Sequence, residues 1–198
     1  MAGRRAGQRF DAELRVTTEA LVFLGELDPE AIGPAIEFAT HYEPTPVAEA
    51  EALLAASPLS PETTTFVDVG AGMGRVVMLA ARRPFRAVVG VELSPALAEI
   101  ARENLAAAND PKRVVHDVRV VRADASAWTL PRGDLLLYLY NPFQAPVLER
   151  LLTRVGSGPA REVVLLYHTP VERATIDADH RFALVADLGF GLVYRLRS

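Results

Sequence analysis

Apolar positions along the chain follow one periodicity before residue 66 and another after it. Between residues 10 and 27, leucines recur at helical spacing, at positions 14, 21 and 24, and this spacing predicts an amphipathic helix. A turn at residues 28–30 is typical of the start of a second helix that runs toward Phe38. Pro46 suits the start of a third helix, over residues 47–56. The chain before residue 62 is therefore predicted to be helical.

From residue 66 onward, short β-branched or apolar runs alternate with alanine-rich helical stretches. This order is typical of an α/β fold in which helices cover both faces of a parallel sheet, as a three-layer sandwich. The last two runs are separated by only a few residues, which predicts a C-terminal antiparallel hairpin on a mostly parallel sheet. The predicted strands are 66–69, 87–91, 118–122, 135–140, 162–167, 181–186 and 191–197, and the predicted helices of this part are 75–82, 95–108 and 144–155.

The length and patterning favour one structural domain with a helical preface. A chain of 198 residues, 50% hydrophobic, can bury one substantial core but is short for two large domains. We therefore expect residues 1–61 to form an N-terminal helical extension or lid. Residues 62–198 are expected to form the core.

Composition narrows the classes of partner. The 21 basic and 25 acidic residues give a net charge of -4, which provides no general attraction for nucleic-acid phosphates, so no non-specific nucleic-acid binding is expected. No cysteine is present, which excludes disulfides and thiolate metal sites. The four histidines lack ligand spacing, and we predict no metal site.

Targeting signals are not evident either. Acidic residues at positions 11, 13 and 19 interrupt the apolar core that a signal peptide needs. No stretch approaches the roughly 18 apolar residues of a membrane-spanning helix. We expect a cytoplasmic protein with no membrane partner. Arginine and alanine are abundant while lysine occurs only at Lys112, a bias that we associate with GC-rich bacterial genomes.

A glycine-rich turn is the first feature that carries chemistry. The predicted strand 66–69 runs into Gly70, Ala71, Gly72, Met73 and Gly74, and a helix follows at once. Glycines allow positive φ and close approach of the backbone to a ligand, while unsatisfied helix N–H groups point toward that ligand. The turn therefore predicts a site for a nucleotide-like cofactor. A plain glycine-rich turn is the alternative.

An acidic residue supports the cofactor interpretation. Glu92 ends the next strand, about twenty residues beyond Gly70, where a carboxylate can accept both hydroxyls of a ribose. Leu93 and Ser94 follow, and Pro95 starts a helix. A dinucleotide is disfavoured, because Arg75 stands where the third glycine of that fingerprint belongs.

The residues around this turn resemble the first motif of the class I S-adenosylmethionine-dependent methyltransferases, and Glu92 resembles the second acidic position of that family. The resemblance extends from about Phe66 to the C-terminus. It implies a Rossmann-like fold, S-adenosyl-L-methionine as cofactor, and methyl transfer as the reaction. In that case Gly70 and Gly72 would line the methionine and ribose portions, Glu92 would hold the ribose hydroxyls, and Asp68 would orient the amino group.

A turn after the third strand is similar to the adenine-binding turn of the same family. Asp124 would accept from the exocyclic amine, and the Ala125 backbone would serve the ring. On sequence alone, Asp124 could equally cap a helix or turn. The resemblance thus implies cofactor contacts at Asp68, Gly70, Ala71, Gly72, Gly74, Glu92, Leu93, Asp124 and Ala125.

The methyl acceptor is expected where the fourth strand ends, at Tyr140, Asn141, Pro142 and Phe143. Open α/β sheets bind ligands at this carboxyl edge. A proline fixes the turn, and the asparagine oxygen can orient an N–H donor. The structural alternative is a helix N-cap followed by a proline. We predict these four residues as catalytic.

The Asn-Pro-aromatic sequence is similar to a shortened Asn-Pro-Pro-aromatic motif of amino-group methyltransferases. The second proline is missing, which argues against an adenine of nucleic acid as acceptor. The predicted acceptor is therefore an amine or amide nitrogen of a protein side chain or a small molecule. A nicotinamide-dependent reductase and a non-catalytic cofactor-binding scaffold are the alternatives.

A local similarity to the non-SET histone lysine methyltransferases and related bacterial proteins concerns the segment before the core. There Tyr42, Glu43 and Pro44 precede the first core helix. Tyr42 and Thr45 would form a lid over the cofactor, or else a proline-stiffened linker. His168 follows the fifth strand and could reach the rim of the site, with a packing or surface role as the alternative.

Overall fold

A seven-stranded sheet occupies the centre of the computed structural model, which describes residues 2–20, 42–140 and 144–197. Its strand order is β3-β2-β1-β4-β5-β7-β6. The first five strands pair in parallel, whereas β7 runs antiparallel to both β5 and β6. The predicted mostly parallel sheet with its C-terminal hairpin is confirmed. The strands are β1 Thr64–Val69, β2 Ala87–Glu92, β3 Val118–Arg122, β4 Gly133–Tyr140, β5 Ala160–His168, β6 Phe182–Asp187 and β7 Gly191–Leu196.

Helices cover both faces of the sheet and form the outer layers of the sandwich. On one face, residues such as Phe10, Leu53 and Met78 pack with Phe66 of β1. The opposite face is covered mainly by α5, whose apolar stripe packs against β1, β4 and β5. The helices are α1 Ala2–Leu14, α2 Val47–Ala55, α3 Arg75–Ala80, α4 Pro95–Ala107, α5 Ala145–Ser157 and α6 Arg173–Asp177, with a 3-10 turn at Pro61–Thr63.

The central strand β1 is buried along its whole length. Helices on both sides explain why its sequence is almost continuously apolar, with Val67 and Val69 on the face of α5 and Phe66 on the other. Each fully buried side chain of this kind stabilises the fold by about 1.5–3 kcal/mol. Asp68 interrupts the apolar run two residues before Gly70, the first glycine of the turn.

The helix predicted over residues 10–27 is wrong in the part that the structure describes. Helix α1 begins at Ala2 and ends at Leu14, and Arg15 has a positive φ of 61°. The Asp11 carboxylate accepts from the backbone N–H groups of Thr18, at 2.6 Å, and Glu19, at 2.8 Å. Such side-chain capture of backbone donors competes with helix continuation.

The remaining comparisons of predicted and observed helices concern the rest of the N-terminal part, the short helix α6 and membrane-spanning segments. The remainder of that helix and the second predicted helix, toward Phe38, lie outside the described residues. The short helix α6 was not predicted, because five residues give no readable periodicity. In the described ranges no helix has the length and apolarity needed to cross a bilayer.

Candidate functional site

The turn between β1 and α3 requires its glycines. Gly70, Gly72 and Gly74 have φ values of 79°, 53° and 87°, in the left-handed region that side chains rarely adopt. The Gly70 N–H donates to the Val91 carbonyl at 2.8 Å. This bond ties the turn to the carboxyl end of β2, so the turn and Glu92 lie side by side.

Glu92 joins the glycine turn to the start of α4. Its Oε2 accepts from the Gly72 N–H and its Oε1 from the Ser94 N–H, both at 2.8 Å. The residue is 7% exposed, and burial raises the pKa of its carboxyl while the backbone N–H bonds oppose that rise. Each carboxylate oxygen has a second lone pair. The group can therefore hold the turn and still accept from a ligand hydroxyl.

Asp68 is a second buried carboxyl at the same edge. It pairs in register with Tyr138 of β4 and is 4% exposed. Burial, followed by the negative charge of Glu92, raises the pKa of Asp68 to about 8. A buried carboxyl of this kind is stabilised by a cation. The ammonium group of an amino-acid ligand fits that requirement.

The segment that begins at Tyr42 lies directly against the glycine turn. A Cβ atom built on Gly72 would be 2.2 Å from Cε2 of the Tyr42 ring, so the ring rests on that glycine. The Tyr42 hydroxyl donates to the Thr18 carbonyl at 2.7 Å. Thr45 is buried, and its carbonyl accepts from Nη1 of Arg75 at 3.2 Å. Tyr42 and Thr45 thus lie beside the glycine turn and the start of α3.

Arg75 connects the glycine turn to the N-terminal segment, a role that the sequence did not reveal. The residue is 3% exposed, and its Nε donates to Thr18 Oγ1 at 2.7 Å. Its Nη2 donates to Glu19 Oε2 at 2.7 Å and lies 3.6 Å from Asp11 Oδ1. An arginine in the place of the third glycine was the available signal, but nothing in the sequence named its partners.

Asn104 of α4 fastens the same segment from the other side. Its Nδ2 donates to the Met73 carbonyl at 3.0 Å and to the Thr17 carbonyl at 2.8 Å. Its Oδ1 accepts from the Thr17 N–H at 3.0 Å. Because Asn104 is also buried, residues 17–19 are held against the glycine turn by two independent side chains.

The turn after β3 lies beside Glu92, as the Ala123 N–H donates to the Glu92 carbonyl at 2.9 Å. The Asp124 carboxylate accepts from the Ser126 N–H at 2.8 Å, which is the turn-capping geometry that the sequence left open. Ala125 is buried in the cluster beneath α5. Leu93 is half-buried.

The carboxyl ends of β4 and β5 form the edge at which the acceptor was expected. Tyr140 is half-buried, and its ring meets His168 edge-on, with centroids 4.4 Å apart. His168 is 2% exposed and pairs through Nε2 with Glu49 Oε2 at 2.6 Å, so it packs inside rather than on the surface. Asn141, Pro142 and Phe143, the other predicted catalytic residues, lie outside the described residues.

A buried hydroxyl at this edge, that of Tyr138, has no hydrogen bond of good geometry. Burial raises its pKa well above the ordinary value, the Thr45 side chain lowers it, and Asp68, Tyr140 and Glu49 add to the rise. Buried hydroxyl groups without a well-formed hydrogen bond are rare in folded proteins. In the same described ranges, no three histidine or carboxylate side chains converge as a metal site.

Comparisons with known proteins agree with this geometry. Residues 66–157 match a family model described as a methyltransferase domain, a range that begins in β1 and ends in α5. A search of the curated proteins finds no match.

Three solved structures have similar folds. A provisionally named methyltransferase from Escherichia coli has a TM-score of 0.60 and 19% identity, over 76% of this chain and 87% of that one. A provisionally named RNA methyltransferase from Pyrococcus horikoshii has a TM-score of 0.56 and 19% identity, over 78% and 85%. Magnesium protoporphyrin IX methyltransferase from Synechocystis, with bound S-adenosylmethionine, has a TM-score of 0.52 and 14% identity, over 76% and 77%.

The structural likenesses establish the Rossmann-like fold, and the family match adds the activity. The matched range contains the glycine turn and Glu92, the two features from which the sequence predicted a cofactor cleft. The similarity to histone lysine methyltransferases stays a prediction. Residues 66–157 therefore carry a methyltransferase domain, and the protein is a methyltransferase that uses S-adenosylmethionine.

Proposed function

We propose that this methyltransferase modifies an amine or amide nitrogen, in a protein side chain or a small molecule. The observation that carries the proposal is the charge around Tyr140. Burial raises the pKa of its hydroxyl above the ordinary value, and the nearby carboxylates of Glu43 and Glu49 raise it further. Two carboxylates beside a half-buried aromatic ring attract a cationic amine and repel a phosphate.

The cofactor would be held by the residues around the glycine turn. Asp68 would take its amino group, because this buried carboxyl is stabilised by a cation. Glu92 would take the ribose hydroxyls on the lone pairs that the backbone N–H bonds leave free. The further contacts that we propose are Gly70, Ala71, Gly72, Gly74, Leu93, Asp124 and Ala125, with Tyr42 and Thr45 as a lid.

S-adenosylmethionine supplies a methyl group on a sulfonium, whose departure leaves a neutral thioether. The protein therefore needs no acid for the leaving group, and alignment and exclusion of water carry much of the rate. Tyr140 and Phe143 would wall an apolar pocket for the acceptor. Asn141 would orient its nitrogen through a side-chain hydrogen bond.

The N-terminal part, residues 1–61, is proposed to act as the lid of a single structural domain whose core is residues 62–198. Support comes from the buried bonds of Arg75 to Thr18 and Glu19. Non-specific nucleic-acid binding is not expected at a net charge of -4. Two similar structures are named as methyltransferases of RNA and of magnesium protoporphyrin IX, and these acceptors are stated for those proteins alone.

Methyl labelling tests this proposal. The protein is incubated with methyl-labelled S-adenosylmethionine and with lysate separated into protein, RNA and small-molecule fractions. We expect label in the protein or small-molecule fraction, on nitrogen, and a loss of about 10-fold or more with Asn141→Ala. Label confined to RNA would overturn the proposed acceptor.

The same experiment separates the alternatives. A scaffold would bind the donor and transfer no label. A reductase, which the family match disfavours, would be stabilised by NADH or NADPH instead of S-adenosylhomocysteine in a thermal-shift measurement, since a ligand of the native state raises its Tm.

A further inference from the structure

Three residues at the carboxyl ends of β4 and β5, Tyr140, His168 and Thr169, form a cluster with Glu49 of α2. His168 lies at its centre, with Nε2 at 2.6 Å from Glu49 Oε2 and Nδ1 at 3.3 Å from Thr169 Oγ1. An ionised carboxylate can only accept a hydrogen bond, so Nε2 carries the ring proton. Nδ1 then presents its lone pair to the Thr169 hydroxyl.

The His168 ring is neutral at pH 7 and so has a free lone pair to accept a proton. Burial lowers the pKa of His168 below its ordinary value, while Glu49 and Glu43 act in the opposite direction. The ring is therefore neutral at pH 7. In the described part of the chain, the ionisable groups that face it are Glu49 from α2, Glu43 from the segment before α2, and Tyr140 from β4. None of them is a cation, so an imidazolium formed there would be stabilised by the carboxylates.

Thr169 links this buried ring to the open edge of the sheet. The residue is exposed and has a φ of 46°, an uncommon and strained conformation for a β-branched side chain. Its N–H donates to the Phe190 carbonyl at 2.9 Å, which helps to hold it in place. Its side chain is also near enough to Tyr140 to lower the pKa of that hydroxyl. Thr169 thus contacts the buried histidine and lies beside the wall of the proposed acceptor pocket.

An amine acceptor creates a need for such a group. Lysine-type amines have a reference pKa of about 10.4, so they arrive as ammonium and must lose one proton before their nitrogen can attack. The inference therefore rests on the amine acceptor proposed above. Asp68 and Glu92, the two buried carboxyl groups beside the glycine turn, are proposed to bind the cofactor. Another group must therefore accept the proton of the amine.

We propose that Thr169 and His168 form a proton relay that deprotonates the acceptor amine, with Glu49 as the positioning residue. One N–H bond of the ammonium breaks, and its electron pair stays on nitrogen. The proton passes to the Thr169 oxygen as the hydroxyl's own proton passes to Nδ1 of His168. The freed lone pair then forms the bond to the methyl carbon, and the imidazolium later releases its proton to water.

Matched variants test the relay. Thr169→Val keeps the β-branched shape and removes the hydroxyl, whereas Thr169→Ser restores it. Glu49→Gln removes the charge beside His168, and Glu51→Gln does the same at an exposed position of the same helix. Initial rates are measured with the lysate fraction that the wild-type protein labels. We expect kcat to fall about 100-fold with Thr169→Val and Glu49→Gln at unchanged donor KM, and to stay within about threefold of wild type with Thr169→Ser and Glu51→Gln.

A second readout needs no acceptor. Nitrogen NMR of the histidine rings, assigned with His168→Gln, reports which ring nitrogen carries the proton. We expect the Nε2–H tautomer for His168 at pH 7, and the Nδ1–H tautomer would overturn the relay. Equal kcat for Thr169→Val and Thr169→Ser would overturn it as well. If the wild-type protein labels no fraction, the proposed function fails; if it labels one and Thr169→Val does so equally fast, the relay alone fails.

Discussion

Arg75 donates from Nη2 to the carboxylate of Glu19 at 2.7 Å, and the two side chains are only 3% and 13% exposed. Arg75 is the first residue of the helix after the glycine turn, while Glu19 precedes the methyltransferase-domain match by more than forty residues. The pair therefore couples the N-terminal segment to the helix that follows the glycine turn.

Loss of the Arg75 guanidinium should be strongly destabilising. Arg75→Met leaves Glu19 and Asp11 as largely buried carboxylates, each 13% exposed, without their counter-charge. Breaking a buried ion pair costs about 3–5 kcal/mol. Urea denaturation measures the change. Arg119→Met is the control, because Arg119 pairs with Asp117 where both side chains are at least 50% exposed, and it should shift the unfolding free energy by less than about 1 kcal/mol. Equal effects of the two variants would contradict the coupling.

Gly72 should tolerate no side chain. In Gly72→Ala the new Cβ would lie 2.2 Å from the Tyr42 ring at a φ of 53°, so both the ring and the turn must shift. We expect the Kd for S-adenosylhomocysteine, measured by calorimetry, to rise at least about 10-fold. Gly189→Ala has a similar strain, at a φ of 82°, but meets nothing within 4 Å. It should cost about 1–2 kcal/mol of stability and leave the Kd unchanged. A wild-type Kd for S-adenosylhomocysteine in Gly72→Ala would contradict the proposal that the cofactor binds at the glycine turn.

Glu92→Gln should weaken cofactor binding, because it removes the charge and also one of the backbone hydrogen bonds that Glu92 accepts. The amide offers an N–H group to one of the two backbone N–H donors that Glu92 accepts, and a charge-assisted bond of this kind is worth about 1.5–3 kcal/mol. We expect donor affinity to fall about 10- to 100-fold in calorimetry. Glu99→Gln, at a side chain that is 63% exposed on the following helix, should bind the donor like wild type. Retention of wild-type affinity by Glu92→Gln would remove Glu92 from the site.

Asp68 should make stability fall as pH rises. Its pKa is raised to about 8 in the fold, whereas an unfolded aspartate titrates near about 3.9. The native state therefore holds this proton more tightly, and the resulting stability is complete below about pH 4 and is lost as pH rises toward 8. Between about pH 5 and 8, the unfolding free energy of wild type should fall by at least about 1 kcal/mol more than that of Asp68→Asn. Asp117→Asn, at an exposed position, should keep the wild-type pH dependence; parallel curves for wild type and Asp68→Asn would contradict the assignment.

The sheet and the helices of the core could be predicted because their signals are local. Runs of apolar residues mark β1, β2 and β4, and the closely spaced last two runs mark the hairpin. Helix α1 was predicted with wrong bounds, because the carboxylate of Asp11 captures the N–H groups of Thr18 and Glu19. The spacing of apolar residues gives no sign of such a side-chain hydrogen bond to the backbone.

The proximity of the glycine turn and Glu92 could be predicted, since they lie on consecutive elements with a fixed spacing. The long-range contacts around them could not. Asn104 meets Thr17 across 87 residues, and Glu49 meets His168 across 119. Partners so distant along the chain are set by packing, and one sequence carries no signal that pairs them. The role of Asn141 stays a prediction.

The proposed activity requires a sulfonium nucleoside to bind against the glycine turn with its ribose on Glu92. Calorimetric titration of the wild-type protein with S-adenosylhomocysteine, repeated on Glu92→Gln, measures this. We predict one binding site per chain in the wild type and an affinity about 10- to 100-fold weaker in the variant. No detectable association of the wild type at millimolar ligand, or equal affinities in the two proteins, would contradict the account.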